Sequence, residues 1–587
     1  MLLVAAGLVQ AASVPVTPRT AIVVARDAAP DERDAARLLQ EYLRKAFGAR
    51  TGFDIAEAAP TAPSRIVVGG IAEGVYRDGF LIETGGGGIR IRGGSPAGVY
   101  HGAAWFLDRF AQVRFYMPGD LFTHVPARPP RIAVPEGIVR DEPYVRNSMM
   151  SGVGGFGGRG DVSDSPRGGE REWLRRNAVY RKEAAAFTHQ HSMFDRFPPA
   201  VFAARFPEIY PVLKGQRYIP VDAKDQQWQP CLAEPKLVDA AEESALDFFR
   251  RFPERRMISF SVQDSHRHCE CDRCRTALAK AGGNKARAFS DQNAVFLNAL
   301  AARLEKSMPG RTIVYIAYSE VREVPSVKLH PSILPVVVFT IGDSLIDKRF
   351  EPGEGILDTW GAAVSQLGNH DWGQGKMYLI PRIYTGLTAR LLSDARRRGL
   401  IWGYQHFEAY PNWGLDGLKL WVTARLWWNP DAETAALWKQ AASDLFPSSA
   451  AEMARYFGDL EKLWILMDND AERKLRKWSN QFDLKSAEQK ELAAGCRRLL
   501  DRAAAAARTG RERDRVALLS KSYRLTEYLF EFANAPRVDR ARVEEARRYA
   551  RDVVGADPMA MFDGGDPETL MKDVDAALAA ITKGKLD

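Results

Sequence analysis

The sequence predicts a mixed α/β protein built around a (β/α)8-like TIM barrel, closed or distorted, with a small α/β domain before it and a helical domain after it. Three observations carry this. From Pro143 to about Pro430 apolar strand-like runs alternate with helical stretches, the rhythm of a parallel sheet or barrel. Before that span, short β runs are separated by two amphipathic helical segments, and beyond Ala432 almost every residue fits a helical period. At 587 residues the chain exceeds what one hydrophobic core can organise. The expected division is 1–16 as a signal-like segment, 17–137 as the α/β domain, 143–430 as the barrel and 431–587 as the helical domain.

The N-terminal domain opens with a strand at Ala21-Ile-Val-Val-Ala25 and a helix capped by Asp31 that runs to Phe47. Arg65-Ile-Val-Val-Gly69 is a second strand. Phe80-Leu-Ile-Glu83 and Ile89-Arg-Ile-Arg92 form a hairpin around Gly85 to Gly88, followed by a helix from Ala97 to Phe110. The barrel strands are Arg146–Met150, Ala186–His191, Met257–Asp264, Thr312–Tyr318, Val336–Ile341, Leu367–Trp372 and Leu400–Glu408. These are seven, one short of closure, which places an eighth in the stretch after His191 or near Trp427. The final helices break at Pro447, Pro536 and Pro558.

Composition narrows the function. Hydrophobic residues at 46% and charged residues at 27% are ordinary globular usage. The charge of +8 comes from 82 basic and 74 acidic residues that are interleaved, as in Arg511-Glu-Arg-Asp-Arg515, so nucleic acid is not an expected partner. The apolar start, Met1 to Ser13, ends in small residues as a secretory signal does, and no later stretch is long enough for a membrane span. An exported protein, periplasmic or secreted, is the expectation.

Barrel enzymes place their working groups at the C-terminal ends of strands. Asp264 and Glu408 end two apolar runs there, and together they supply the two carboxyl groups that glycoside hydrolysis requires. Each also has a structural explanation: Asp264 as a cap for the following loop, Glu408 as an ion-pair partner. His189 and His191 share one strand face, and Trp413, just past Glu408 in a Pro-Asn-Trp turn, is placed to stack on a sugar or to sit in the core. Cys269-Glu-Cys271-Asp-Arg-Cys274, flanked by His266 and His268, has metal-ligand spacing, with Cys231 upstream or a His as a fourth ligand; a structural zinc, a disulfide between Cys231 and one of the three, and free thiols stay open as alternatives. The glycine-rich run Gly152 to Gly160 lacks the context of a phosphate cradle and reads as a loop.

Several motifs carry a resemblance. Gly98-Val-Tyr-His-Gly102, Phe106-Leu-Asp108 and Arg114-Phe-Tyr-Met-Pro-Gly119 resemble the domain that precedes the barrel in β-hexosaminidases and α-glucuronidases. Val262-Gln-Asp264, His268 to Cys274, Tyr378-Leu-Ile-Pro-Arg-Ile-Tyr384, Glu408 to Gly417 and Leu426-Trp-Trp-Asn-Pro430, with Arg176-Asn177 and Pro230 to Pro235, resemble the domain of unknown function 4838 family. Parts of that family are classed as glycoside hydrolase family 163, endo-β-N-acetylglucosaminidases of complex N-glycans. The resemblance implies a retaining glycosidase in which the substrate's 2-acetamido group is the nucleophile. It implies Asp264 and Glu408 as catalytic groups and Gln263, His191, Tyr318, Asp371, Trp372 and Trp413 as substrate contacts. The partner is then an oligosaccharide or glycoprotein glycan, with no cofactor required for catalysis. This sequence has Gln263 where an Asn is common and His370-Asp-Trp372 where the family tends to a tyrosine-rich segment. The rival reading is a non-catalytic glycan-binding protein on the same scaffold, since a fold does not carry an activity.

Overall fold

The computed structural model describes residues 12–57, 64–126, 131–153, 169–179, 189, 191–341, 355–373, 379–409, 412–468, 484–556 and 567–586. The expected strand at 186–191 is therefore described only at His189 and His191, and most of the glycine-rich loop, Tyr378, Tyr410 and Pro558 lie outside the described residues.

The chain begins with β1 (Ser13–Val16), β2 (Ala21–Val24), α1 (Pro30–Phe47), β3 (Ile55–Ala56), β4 (Arg65–Ile71), β5 (Phe80–Gly85), β6 (Gly88–Gly93) and α2 (Pro96–Phe106). Short strands β7 (Arg114–Phe115), β8 (Thr123–His124), β9 (Ile132–Pro135) and β10 (Gly137–Asp141) follow. The main sheet has the order β10-β5-β6-β4-β2-β3, with α1 and α2 packed together on it. The β5–β6 turn is Gly86-Gly87, both at positive φ (57° and 76°), the conformation a two-residue hairpin needs to match strand twist. Two expectations are corrected here. Ser13–Val16, placed within the signal-like segment, is a strand paired antiparallel with Ile132–Pro135, and Val14 and Val16 are buried. Helix α1 is capped by Ala29, whose amide donates to the Glu32 carboxylate at 2.8 Å, and not by Asp31.

The central sheet contains β11 (Ser148–Ser151), β14 (Met257–Ser259), β15 (Thr312–Ala317), β16 (Ile333–Val338), β17 (Gln366–Asp371) and β18 (Ile401–Glu408), all parallel, in the order β11-β18-β17-β16-β15-β14. The first strand pairs with the last, as barrel closure demands. Between β11 and β14 run α3 (Gly169–Arg176), a small ribbon of β12 (Val212–Leu213) and β13 (Gln216–Arg217), and α4 (Lys236–Arg251). The other barrel helices are α5 (Asp272–Lys280), α6 (Lys285–Ser307), α7 (Ile356–Ala363), α8 (Thr385–Arg397) and α9 (Trp413–Trp428). Neither proposed position yields an eighth strand among the described residues: Trp427 belongs to α9, and the stretch after His191 holds short helices and the antiparallel ribbon. Strand β14 is shorter than expected because serine hydroxyls enter its ladder. Ser192 Oγ lies 3.0 Å from Ser259 O, and Ser261 Oγ accepts from Ile316 N at 2.8 Å.

The barrel floor is apolar, formed by Met257, Val314, Leu334, Val336 and Tyr404, all buried. Beyond the barrel, α10 (Thr434–Leu445), α11 (Ala450–Asp468), α12 (Ala487–Ala506), α13 (Gly510–Asn534), α14 (Arg540–Ala556) and α15 (Pro567–Thr582) form a helical layer. Asp444 ties it to the N-terminal domain, accepting from Arg114 Nη1 at 2.7 Å and Tyr116 OH at 2.6 Å. Thr526 Oγ1 on α13 donates to Leu379 O at 2.6 Å, which fixes a segment near the barrel rim. Among the described residues no helix is long and apolar enough to cross a membrane.

Candidate functional site at the barrel mouth

Alternation along β17 and β18 sorts their side chains into two sets. Gly368, His370 and Trp372 share one face of β17; Tyr404, His406 and Glu408 share one face of β18. The register pairs His370 with His406 and Asp371 with Phe407. Because Tyr404 belongs to the barrel floor, the His370/His406 face is the barrel interior. Phe407 contacts Trp427 of α9, with ring centroids 6.2 Å apart, so the Asp371/Phe407 face meets the helices.

A layer of three buried histidines lies above the apolar floor. His189 Nε2 is 3.1 Å from His370 Nδ1 and 3.4 Å from His406 Nδ1. The outer nitrogen of His370, Nε2, meets Glu408 Oε1 at 3.1 Å, and that of His406 meets Ser151 Oγ at 2.8 Å. Burial holds the His189 and His406 imidazoles well below the usual histidine range, and the neighbouring His370 adds to the effect, so both are neutral at pH 7. One proton arrangement satisfies every pair: His370 donates from Nε2 to the carboxylate, His189 Nε2–H points at the two inner acceptors, and His406 donates to Ser151. The three inner nitrogens lie within 4.8 Å of one another and also form a set able to hold a metal ion.

Glu408 crowns this layer. Its side chain is 16% exposed, enough to be reached by a ligand while still held from below. Trp372 is half-buried and stacks on His370 with centroids 5.3 Å apart and planes at 22°, which leaves an aromatic surface beside the carboxylate. On the far side, His191 sits at φ 30°, an uncommon backbone conformation for a non-glycine residue. Its Nδ1 lies 2.9 Å from Val262 O, and its ring packs 6.1 Å from half-buried Tyr318. Asp264 is exposed on the loop after β14, between buried Gln263 and Ser265.

Three expected substrate contacts are corrected. Gln263 is fully buried; its Oε1 accepts from Met193 N at 3.2 Å, and its backbone is clasped by Gln229. Asp371 is 1% exposed and faces the helices, accepting from Ile341 N and from Tyr384 OH at 3.3 Å. Trp413 is fully buried at the start of α9, its indole N–H bonded to Glu170 Oε1 at 3.2 Å and its ring edge-on to Trp173. A helix that packs across the barrel must bury its first large side chain, and Trp413 does this. The residues missed from sequence are His406 and Ser151. The i, i+2 spacing of His406 and Glu408 was the available signal, because it puts both on one strand face.

The second cluster is Cys231, Cys269, Cys271 and Cys274, all free thiols. The alternative of a disulfide from Cys231 is not what the structure contains: its Sγ is 3.7 Å from those of Cys271 and Cys274.

The model of the family described as "Domain of unknown function (DUF4838)" matches residues 166–459. The chain belongs to the DUF4838 family. Residues 8–141 of this DUF4838 protein match a second model, described as glycosyl hydrolase family 20, domain 2. Similar solved structures include the N-acetyl-β-hexosaminidase of Streptomyces plicatus, at 14% identity and TM-score 0.37, covering 76% of this chain and 93% of that one. The β-N-acetylhexosaminidase of Streptomyces coelicolor A3(2) is 14% identical with TM-score 0.36, covering 74% and 92%. The chitobiase of Flavobacterium johnsoniae is 11% identical with TM-score 0.37, covering 97% of each chain. No curated protein matches the sequence.

Proposed function

We propose that this DUF4838 protein is an exported glycoside hydrolase that cleaves β-linked 2-acetamido sugars in an oligosaccharide or glycoprotein glycan, in the manner of an endo-β-N-acetylglucosaminidase. The observation that carries the reading is Glu408, a partly exposed carboxylate at the C-terminal end of a barrel strand, held by His370 and flanked by Trp372. The match of residues 8–141 to a glycosyl hydrolase domain supports the same class.

In this reading the acetamido carbonyl oxygen attacks the anomeric carbon, the glycosidic bond breaks, and the leaving oxygen takes a proton from an acid; water then opens the cyclised intermediate with net retention. Glu408, already placed as a hydrogen-bond acceptor, orients the acetamido N–H and faces the charge that develops there. Asp264, exposed at the mouth, donates the proton. Trp372, Tyr318 and His191 form the walls against which the sugar lies. Catalysis in this scheme uses no metal.

The test is release of sugar from N-glycoproteins, chitin oligosaccharides and aryl β-glycosides by wild type, Asp264→Asn and Glu408→Gln. Each variant should lose roughly 10²–10⁴-fold in kcat/KM, the range for a positioned acid or base. Asp264→Asn should recover most on aryl glycosides, whose leaving groups need no proton. A Glu408→Gln variant as active as wild type refutes the assignment. Glycan binding with no hydrolysis of any substrate favours the non-catalytic binding protein.

A further inference from the structure

We propose that Cys231, Cys269, Cys271 and Cys274 form a tetrathiolate zinc site whose role is to hold the loop that carries Asp264. The four Sγ atoms lie within 4.8 Å of one another, with two of the separations at 3.7 Å. A tetrahedral zinc with metal–sulfur bonds of about 2.3 Å sets its sulfurs about 3.8 Å apart, so one ion at the centre of this group meets its preferred geometry. The set consists of four soft donors, the ligand class that selects zinc or iron–sulfur over hard cations. Three of the thiols are buried and Cys271 is half-buried, and four thiolates fill the shell of a tetrahedral zinc, leaving no open catalytic position, as suits a structural ion.

The surrounding backbone is arranged for thiolates. Val212 N donates to Cys269 Sγ at 3.3 Å, and Cys271 is the N-cap of α5, so that Cys274 falls in the first turn of that helix. Negative charge is favoured at a helix N-terminus, and N–H groups that point at sulfur stabilise the ionised ligand.

The elements joined are distant in sequence. Cys231 follows Gln229, whose Nε2 donates to Gln263 O at 2.7 Å and Ser265 O at 2.8 Å while its Oε1 accepts from Gln263 N at 2.9 Å. These bonds bracket Asp264 on both sides. Glu270, between two of the thiols, completes the tie to the ribbon, its N donating to Val212 O at 2.8 Å and its carboxylate accepting from Lys214 N at 2.7 Å. The β14 ladder has ended by Ser259, so past Gln263 the stretch is held by side-chain contacts and not by a sheet: His266 Nδ1 lies 3.2 Å from Ser319 Oγ, and the His268 ring stacks on Phe289 with centroids 3.5 Å apart. A metal here supplies what regular secondary structure does not.

The decisive measurement is zinc content and zinc K-edge absorption on protein purified without added metal. About one zinc per chain, bound by four sulfurs at about 2.3 Å, is expected. Nitrogen ligands at about 2.0–2.1 Å would place the ion on the histidine layer and overturn the assignment. So would a chain with no metal and fewer than the five thiols alkylated after unfolding without reductant. Cys271→Ser, at the least buried position, should lose nearly all its zinc, whereas Cys496→Ser, in the helical domain, should keep it. If Cys271→Ser does not fold, stripping zinc from wild type with a chelator replaces it. The stripped protein should be cut by trypsin at Lys214, Arg217 or Lys224 roughly tenfold faster, reversibly on adding zinc, as expected when a tie that closes local openings is released. An unchanged rate would remove the loop-holding role.

Discussion

A Trp413→Ala substitution removes an indole that the sequence places beside Glu408 and the structure places in the core. A tryptophan of this kind buries about 200 Å², worth about 5 kcal/mol at 25 cal/mol per Å². Measured truncations of buried aromatics cost about 3–5 kcal/mol, since the site partly collapses. Little collapse is open here. A Cβ on Gly417, one turn along α9, would stand 2.7 Å from the Trp413 ring and 2.9 Å from Met117 sulfur, so the helix already packs as closely as glycine permits. The variant also takes an N–H donor from buried Glu170, a further loss of about 1–3 kcal/mol. The expected total is about 4–8 kcal/mol, which for a unit of barrel size lowers the melting temperature by roughly 10–30 °C. Thermal unfolding followed by circular dichroism measures it, with Trp413→Phe as the milder control. A Trp413→Ala protein that melts as wild type but no longer binds glycan would refute the burial argument and restore the sugar-stacking role.

Four further outcomes are expected. His189 and His406 are buried neutral, with folded values below the unfolded one, so the unfolded chain binds more protons as pH drops below about 6.5. Stability should therefore fall with pH below that point, by up to about 1.4 kcal/mol per unit per histidine, and urea midpoints of His406→Gln should show a shallower slope. Burial raises the Glu512 carboxyl, but bonds from Ser448, Thr509 and Arg508 outweigh it and hold the group down to about 2, so its stabilisation is present above about pH 4.5 and lost as pH falls toward 2. Glu512→Gln should unfold earlier at pH 7 yet match wild type near pH 2. Asp371→Asn should change KM by less than about twofold, because the carboxylate faces α8, while any loss appears in thermal stability. Trp372→Ala should raise KM for glycans by roughly tenfold or more with an unchanged melting temperature, the reverse of the Trp413 pattern.

The amino-acid sequence by itself determined the strand and helix rhythm, the two flanking domains, and the strand ends where polar residues gather. Strands β15 to β18 fall within a few residues of their expected positions, because apolar runs bounded by turn residues are a local signal. Glu408 was legible for the same reason: a charge that ends an apolar strand is visible without knowing any neighbour. The facing of side chains was not. Whether Asp371 or His370 points inward depends on which face of β17 meets the barrel interior, a choice made by pairing with β18 and by the helices outside it. Trp413 and Trp372 are both tryptophans beside candidate carboxylates, and only packing separates a core residue from one at the mouth. The histidine layer joins His189, His370 and His406, residues up to 217 apart in the chain, and the thiol group joins Cys231 to Cys271 and Cys274, 40 and 43 residues away. Such contacts exist only once the strands and loops are assembled around the sheet, since burial and mutual distance are properties of the assembled fold and not of any segment in it.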